Sequence, residues 1–438
     1  MSYGGDAHEK RRRVAVIGAG YVGLPTAATL AHFGHTVVLA ERDRSRLSAL
    51  RSGRMPIVET GLDDLVADGV SAGRLSFIES AVDAVVGAEF VFLCVPTPQS
   101  ADGSADLSYV EAAAKEIASH LKPGAIVVNK STVPVGSATM VESVIGRSDI
   151  GVVSNPEFLR EGTAVSDSLK PDRIVVGADD ARAAAKVGEL FDSTRAPLIV
   201  TDATTSETIK YASNAFLATK LSFVNALAGL CEEVGADARD VLLGLGYDKR
   251  IGFEFLRPGP GWGGSCLPKD TRALLHIATT AGYDFSLLAG AIASNDTQLS
   301  RVVTKVESAC GGSAAGVTIG VWGLTFKANT DDRRDSPSLQ IAHRLAALGA
   351  TVQAFDPTVR ADAESPDLDD LHLRDDPYAA VAGARALVVL TEWDEFRWLD
   401  FVRVKAAMTG STIVDARNIL DPAAMRRIGF HYMGIGRQ

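Results

Sequence analysis

The sequence predicts an α/β protein in which two doubly wound parallel-sheet domains are joined by a long central helix. Three observations carry this. Short valine-rich runs alternate with helical stretches from residue 14 onward, the order that builds a parallel sheet with crossover helices. The opening strand, glycine turn, helix and second strand are echoed by a like unit from residue 317. Between them, Ile209, Ala212, Phe216, Phe223, Leu227, Leu230 and Val234 recur at helical spacing.

The first βαβ unit opens with a β-rich run at Val14, continues through a helical stretch ending near Gly34, and closes on a strand over 36–40. Further strands are expected at 90–95 and 125–129, with a helix over 109–120 between them. In the second unit the strands fall at 317–321 and 351–355, separated by a Gly323 turn and a helix over 338–348, and the second strand runs into Asp356. The expected division is 1–204, a central helical segment 205–300, and 301–438.

A chain of 438 residues is too long for one ordinary core and suits two or three domains. With 46% hydrophobic and 22% charged residues and no low-complexity block, it reads as globular beyond the first dozen residues. A net charge of −10 speaks against general affinity for nucleic acid or an anionic membrane surface, so an anionic ligand needs a local basic pocket. The run Lys10-Arg11-Arg12-Arg13 reads as a solvated lead-in, because Gly18, Gly20 and Gly23 break the apolar stretch that a signal peptide would need. No run of about 18 apolar residues predicts a membrane span. Four scattered cysteines without a CxxC pair point to a reducing, cytoplasmic compartment, and neither they nor the eight histidines show metal-ligand spacing.

The turn Gly18-Ala19-Gly20-Tyr21-Val22-Gly23 has GxGxxG spacing after a strand and before a helix, and Glu41 ends the next strand. Glycines there allow a tight turn, close approach of a pyrophosphate and close helix packing, while an acid at the second strand can bind a ribose 2′-hydroxyl. This is the arrangement of a Rossmann-like dinucleotide site. The acid would repel a 2′-phosphate, which favours NAD over NADP, although Arg42 and Arg44 lie close by.

The segment 259–270 holds four glycines within six residues, then Cys266, then Pro268 suited to the first turn of a helix over 269–281. Glycines suggest backbone approaching a ligand, and a thiol at a helix N-terminus near Lys269 is expected to ionise more readily and act as a nucleophile. The alternative is a buried apolar cysteine, the reading given to Cys94, Cys231 and Cys310. Lys210 and Asn214 share one helix face and are candidates to stabilise an oxyanion, or else a plain surface pair. In 155–162, Glu157, Arg160 and Glu161 flank an apolar pair, which suits either acid–base chemistry or a loop salt bridge.

Several segments together resemble the UDP-glucose/UDP-N-acetylmannosamine dehydrogenase family: GAGYVGLPTA, VPTP (95–98), KSTVPVG (130–136), NPEFLREGTA (155–164), IKYASNAFLA (209–218), RIG (250–252), GWGGSCLPKD (261–270), GLTFK (323–327) and DDRRDSP (331–337). The resemblance implies two successive oxidations of a nucleotide sugar with two NAD reduced, and a homodimer formed through the central helix. It implies that Cys266 forms a thiohemiacetal and then a thioester, that Lys210 and Asn214 steady the oxyanion, that Asp270 with Thr132 activates water, and that Glu157 serves in acid–base work. Pro96, Thr97, Thr132, Glu161 and Arg334 are then expected near the cofactor, with Gly18, Gly20, Tyr21, Val22, Gly23 and Glu41. Phe158, Leu159, Glu161, Lys210, Asn214, Phe255, Leu256, Arg257, Gly263, Lys327 and Arg417 are expected around the substrate, and Arg250 at the sugar of the partner subunit.

Two departures stand out. Glu41 replaces the family's usual aspartate, and Trp262 its other aromatic. Ser265, where the mannosamine branch carries histidine, and the presence of NPEFL place the chain with the glucose branch. Uracil and thymine differ by one methyl, which a pocket separates by only about 1–3 kcal/mol, so dTDP-glucose stays open as a substrate. A one-step dehydrogenase and a non-catalytic nucleotide-sugar binder are the rival readings.

Overall fold

The computed structural model describes residues 11–100 and 103–437, so Lys10 of the basic run lies outside them. The chain divides into two compact units, Met1–Ala212 and Ser213–Gln438.

The first unit is built on eight strands: β1 (Arg13–Ile17), β2 (Thr36–Ala40), β3 (Leu75–Ile78), β4 (Phe90–Leu93), β5 (Ile126–Asn129), β6 (Gly151–Ser154), β7 (Ile174–Gly177) and β8 (Leu198–Thr201). Their order in the sheet is β3-β2-β1-β4-β5-β6-β7-β8. All neighbours are parallel except β6 and β7, which meet antiparallel through the single pair Ser154 and Gly177. The central strands are largely apolar because both faces are covered: Val14 and Val16 enter one core while Ala15 and Ile17 enter the other, whereas Leu198, Ile199 and Val200 of the edge strand β8 are exposed.

The second unit holds β9 (Thr318–Trp322), β10 (Thr351–Phe355), β11 (His372–Leu373), β12 (Ala386–Val389), β13 (Thr412–Asp415) and β14 (His431–Gly434), all parallel, in the order β11-β10-β9-β12-β13-β14. The same alternation buries Ile319 and Val321 on one side and Trp322 on the other. This is the order of the first six strands over again, and the repeat extends to hydrogen bonds. Gly18 N donates to Ala40 O and Gly323 N to Phe355 O, each at 2.8 Å. Ala19 N donates to Glu41 at 3.0 Å as Leu324 N donates to Asp356 at 2.8 Å. The self-similarity read from sequence is therefore a structural repeat, and Asp356 is the counterpart of Glu41.

The helix Ala203–Val234 passes from the first unit into the second. Its apolar periodicity marks its outer face: Phe216, Phe223 and Leu230, spaced by seven, are 69%, 60% and 55% exposed, and Val234 is 66%. Its buried face carries Glu207, Lys210, Asn214, Ser222 and Asn225 among small apolar residues. Ordinary amphipathic helices put such groups outside. By length and composition it is the one helix among the described residues that could cross a bilayer, but its buried charged residues make it an interior helix.

Candidate active site

In the first sheet the strand order reverses between β1 and β4, which opens a crevice at their C-terminal ends. Gly18 leaves β1 with φ +102, and a Cβ there would lie 2.6 Å from the Cys94 carbonyl oxygen. A Cβ on Gly23 would lie 1.9 Å from the Gly18 carbonyl oxygen. Packing thus forces both glycines. Gly20 differs, since a Cβ there meets nothing within 4 Å, and the space in front of it is where a pyrophosphate would approach. The helix Gly23–His32 starts with no side-chain cap on its amides, so they can serve an anion. Glu41 is buried, its two oxygens accepting from Ala19 N at 3.0 Å and Asp43 N at 2.8 Å. Each oxygen keeps a second lone pair for a ribose hydroxyl, so these residues fit a dinucleotide.

The other expected groups of this unit also follow strand ends. Pro96 and Thr97 come after β4, and Thr97 Oγ1 donates to the Thr132 carbonyl, beyond β5, at 2.9 Å. Glu157, beyond β6, pairs with Lys210 Nζ at 2.8 Å with both side chains 4% exposed. Burial pushes the Glu157 carboxyl up, but the Lys210 ammonium, the Leu159 amide at 2.6 Å and the nearby Lys130 together hold it below the ordinary carboxylate value. Arg160 pairs with Asp167, outside the 155–162 segment, at 2.6 Å. Phe158 stacks under the Arg173 guanidinium, 3.6 Å from ring centre to carbon, with Lys210 Nζ at 5.6 Å. Leu159 and Glu161 are half-buried beside it.

In the second unit Cys266 stands at the N-cap position of the helix Leu267–Thr280, its side chain making no capping hydrogen bond, with Pro268 in the first turn. Of the four cysteines it is the one not buried. Burial pushes the Cys94 thiol up to about 12, far from a reactive thiolate. One turn along the helix, Asp270 is fully buried and accepts from Asn214 Nδ2 at 2.5 Å and Lys269 Nζ at 2.6 Å. The glycines of 259–264, expected to bring backbone close to a ligand, are also required by the protein's own packing. A Cβ on Gly263 would strike the Asp335 carbonyl oxygen at 2.1 Å, one on Gly264 the Phe326 ring at 2.8 Å, and one on Gly259 would crowd Arg417 at 3.3 Å. The protein itself fills that space, and the glycines seat the Cys266 turn against the segments carrying Lys327 and Arg334.

Arg417 follows β13 and crosses to the reversal point between β9 and β12, donating to Leu390 O at 2.8 Å and Phe326 O at 2.7 Å. Lys327 lies over the Phe326 ring at 5.3 Å. The structure ties Arg334 to Asp332 at 2.7 Å and Arg250, 89% exposed, to Asp248 at 2.6 Å. Phe255 takes a left-handed φ of 60, a conformation that costs a bulky residue energy, between exposed Glu254 and buried Leu256, with Arg257 exposed beyond.

Models of the UDP-glucose/GDP-mannose dehydrogenase family match three consecutive segments: its NAD binding domain at 12–195, its central domain at 204–297 and its UDP binding domain at 320–422. The chain belongs to this family. It is an NAD-dependent oxidoreductase. It is 47% identical to a UDP-glucose 6-dehydrogenase of Rhizobium meliloti over 97% of this chain and 99% of that one. A UDP-glucose 6-dehydrogenase of Pseudomonas aeruginosa is 45% identical over 97% of each chain. Among solved structures, a UDP-glucose dehydrogenase of Pyrobaculum islandicum shares 37% of its sequence with a TM-score of 0.91, covering 99% of both chains.

Sequence reasoning on this dehydrogenase missed several buried polar groups. Glu59 accepts from Gly162 N and Ala164 N, each at 2.7 Å, and so fixes the loop that carries Glu161. Asn295 accepts from Trp262 N at 2.8 Å, and Ser222 from the Trp262 indole N–H at 2.8 Å, which hold the cysteine turn from behind. Lys130 stood inside a quoted motif without a role. No spacing rule marks such residues, because each acts across distant parts of the chain.

Proposed function

We propose that this dehydrogenase oxidises the C6 hydroxyl of UDP-glucose twice, to the carboxylate, through a thioester on Cys266. The single observation that carries the reading is the placement of Cys266: the one cysteine not buried stands at the start of a helix whose first turn holds Asp270 against Asn214. NAD, when bound, accepts one hydride in each oxidation. Gly20 and the start of the helix Gly23–His32 receive its pyrophosphate and Glu41 its ribose, with Tyr21, Val22, Pro96, Thr97, Glu161 and Arg334 around it.

In the first oxidation the C6–H bond breaks as hydride and the hydroxyl gives up its proton. The Cys266 sulfur then adds to the aldehyde carbon as a proton reaches its oxygen, and the resulting thiohemiacetal loses a second hydride together with its hydroxyl proton to give the thioester. Water cleaves the C–S bond, returning the thiol and leaving the carboxylate. Holding the carbon on sulfur keeps it in place for the second transfer, which a free hydrate would not. Lys210 and Asn214 steady the oxygen: an amide nitrogen carries two hydrogens, so with one on Asp270 the other can meet the substrate. Thr132 and Asp270 orient the water and Glu157 exchanges its proton.

Phe158, Leu159, Phe255, Leu256, Arg257, Gly263, Lys327 and Arg417 hold the sugar nucleotide, and their cations supply the positive field that an overall charge of −10 lacks. The functional segments are 1–204, 205–300 and 301–438. Two copies associate through the outer face of the helix Ala203–Val234 in the cytoplasm, and exposed Arg250 reaches the partner's sugar.

The test offers UDP-glucose and dTDP-glucose side by side and measures NADH per sugar. Two per UDP-glucose, with uronate as product, is the expected yield, and Cys266→Ala is expected to form no uronate. A yield of one, or uronate from the Cys266→Ala variant, contradicts the reading.

A further inference from the structure

Lys130 follows β5 directly and is buried, its Nζ donating to Asn155 Oδ1 at 3.0 Å. Asn155, the residue after β6, passes the bond on from Nδ2 to the Val175 carbonyl of β7 at 2.7 Å. The ammonium also lies 5.5 Å from the centre of the Phe191 ring. Among the described residues no carboxylate makes an ion pair with it. A buried cation without such contact is costly, so its presence asks for a compensating role. Burial lowers its pKa to about 8, which leaves it mostly charged at neutral pH, and the ionisable groups facing it are Cys94, Glu157 and Lys210. Lys130 stands two residues before Thr132, and Asn155 two before Glu157. One hydrogen bond therefore joins the two loops on which the proposed water and proton chemistry depends.

We propose that Lys130 is a positioning residue for the oxidation: its ammonium locks the loop after β6 to the loop after β5 and adds a second positive charge beside the Glu157–Lys210 pair. That charge keeps Glu157 a carboxylate while Lys210 faces the substrate oxygen. The inference rests on the reading of Glu157 as the acid–base group.

Three variants of the full-length enzyme separate charge from shape. Lys130→Arg keeps the cation, Lys130→Gln keeps a donor for Asn155 without charge, and Lys130→Met keeps only the length. Each is assayed for kcat/KM against pH, for kcat and KM separately, and for NAD binding. Removing a cation raises the pKa of a neighbouring carboxyl, so the acid limb of kcat/KM in Lys130→Gln and Lys130→Met is expected to move up by about one pH unit, which is about tenfold in rate below it. NAD affinity is expected to stay as in the unsubstituted enzyme, kcat to fall with KM little changed, and Lys130→Arg to restore the original limb.

An unmoved acid limb in Lys130→Gln, or Lys130→Arg no better than Lys130→Met, overturns the proposal. So does failure of all three to fold, which would make the ammonium a requirement of folding alone. If Lys130→Met alone fails, Lys130→Gln against the unsubstituted enzyme decides. Full activity in Glu157→Gln would instead overturn the parent reading, whatever Lys130 shows.

Discussion

The three glycines of the first turn serve two ends, packing at Gly18 and Gly23 and open approach at Gly20, and substitution separates them. Gly23→Ala places a methyl 1.9 Å from a carbonyl oxygen, so it should destabilise the first unit whether or not cofactor is present. Gly20→Ala meets open space, so its thermal midpoint should match the unsubstituted protein while its NAD dissociation constant rises about tenfold or more, a loss of about 1.4 kcal/mol. Isothermal titration beside a thermal melt reads both, and equal effects of the two variants would contradict this division. The buried Glu157–Lys210 pair makes a second residue-scale prediction. Glu157 is held below the ordinary carboxylate pKa, so its contribution to stability is present above the unfolded value and is lost as pH falls through the folded one. In urea unfolding, the advantage of the unsubstituted protein over Glu157→Gln should hold from about pH 7 down to the ordinary carboxylate range of about pH 4 and shrink below it. Lys210→Met, which strands a buried carboxylate, should cost about 3–5 kcal/mol at neutral pH. A gap independent of pH would contradict the ion pair.

At the scale of elements, the helix Ala203–Val234 shows how far periodicity carries. The spacing of Phe216, Phe223 and Leu230 made the helix legible, but period alone does not say which face is covered, and the structure leaves these side chains exposed. In the proposed dimer a second copy covers them, so Phe216→Glu with Phe223→Glu should convert dimer to monomer, each ring withdrawing about 1.5–3 kcal/mol of apolar burial. Sedimentation checks this, and an unchanged mass contradicts it. The cysteine turn teaches the converse. A glycine cluster announces close approach, yet sequence does not name the approaching group, and here Asp335 and Phe326 occupy the positions a Cβ would take on Gly263 and Gly264. The strands read from sequence, such as those holding Val91 and Val127 and Val128, were legible because burial on both faces writes continuous apolar runs, whereas Ala386–Val389 was not read as a strand.

At the scale of the whole molecule, one strand order is used twice, and in each sheet the expected ligand groups sit at the C-terminal ends of strands around the reversal point. That repeat was visible in sequence from two strand–glycine–strand units ending in an acid. Lys130, Glu59 and Asn295 were not, since their partners lie 25, 103 and 33 residues away and no local pattern links them. The chemistry assigned to the molecule comes down to one bond between Cys266 and the sugar carbon. Its most direct measurement is peptide mass spectrometry of Glu157→Gln, quenched in acid during turnover with NAD and UDP-glucose, where slowed hydrolysis should let the thioester accumulate. A UDP-glucuronyl adduct on the peptide containing Cys266 is the predicted result. Uronate formed with that peptide never modified, or an adduct on the peptide of Cys94, Cys231 or Cys310 instead, would contradict the account.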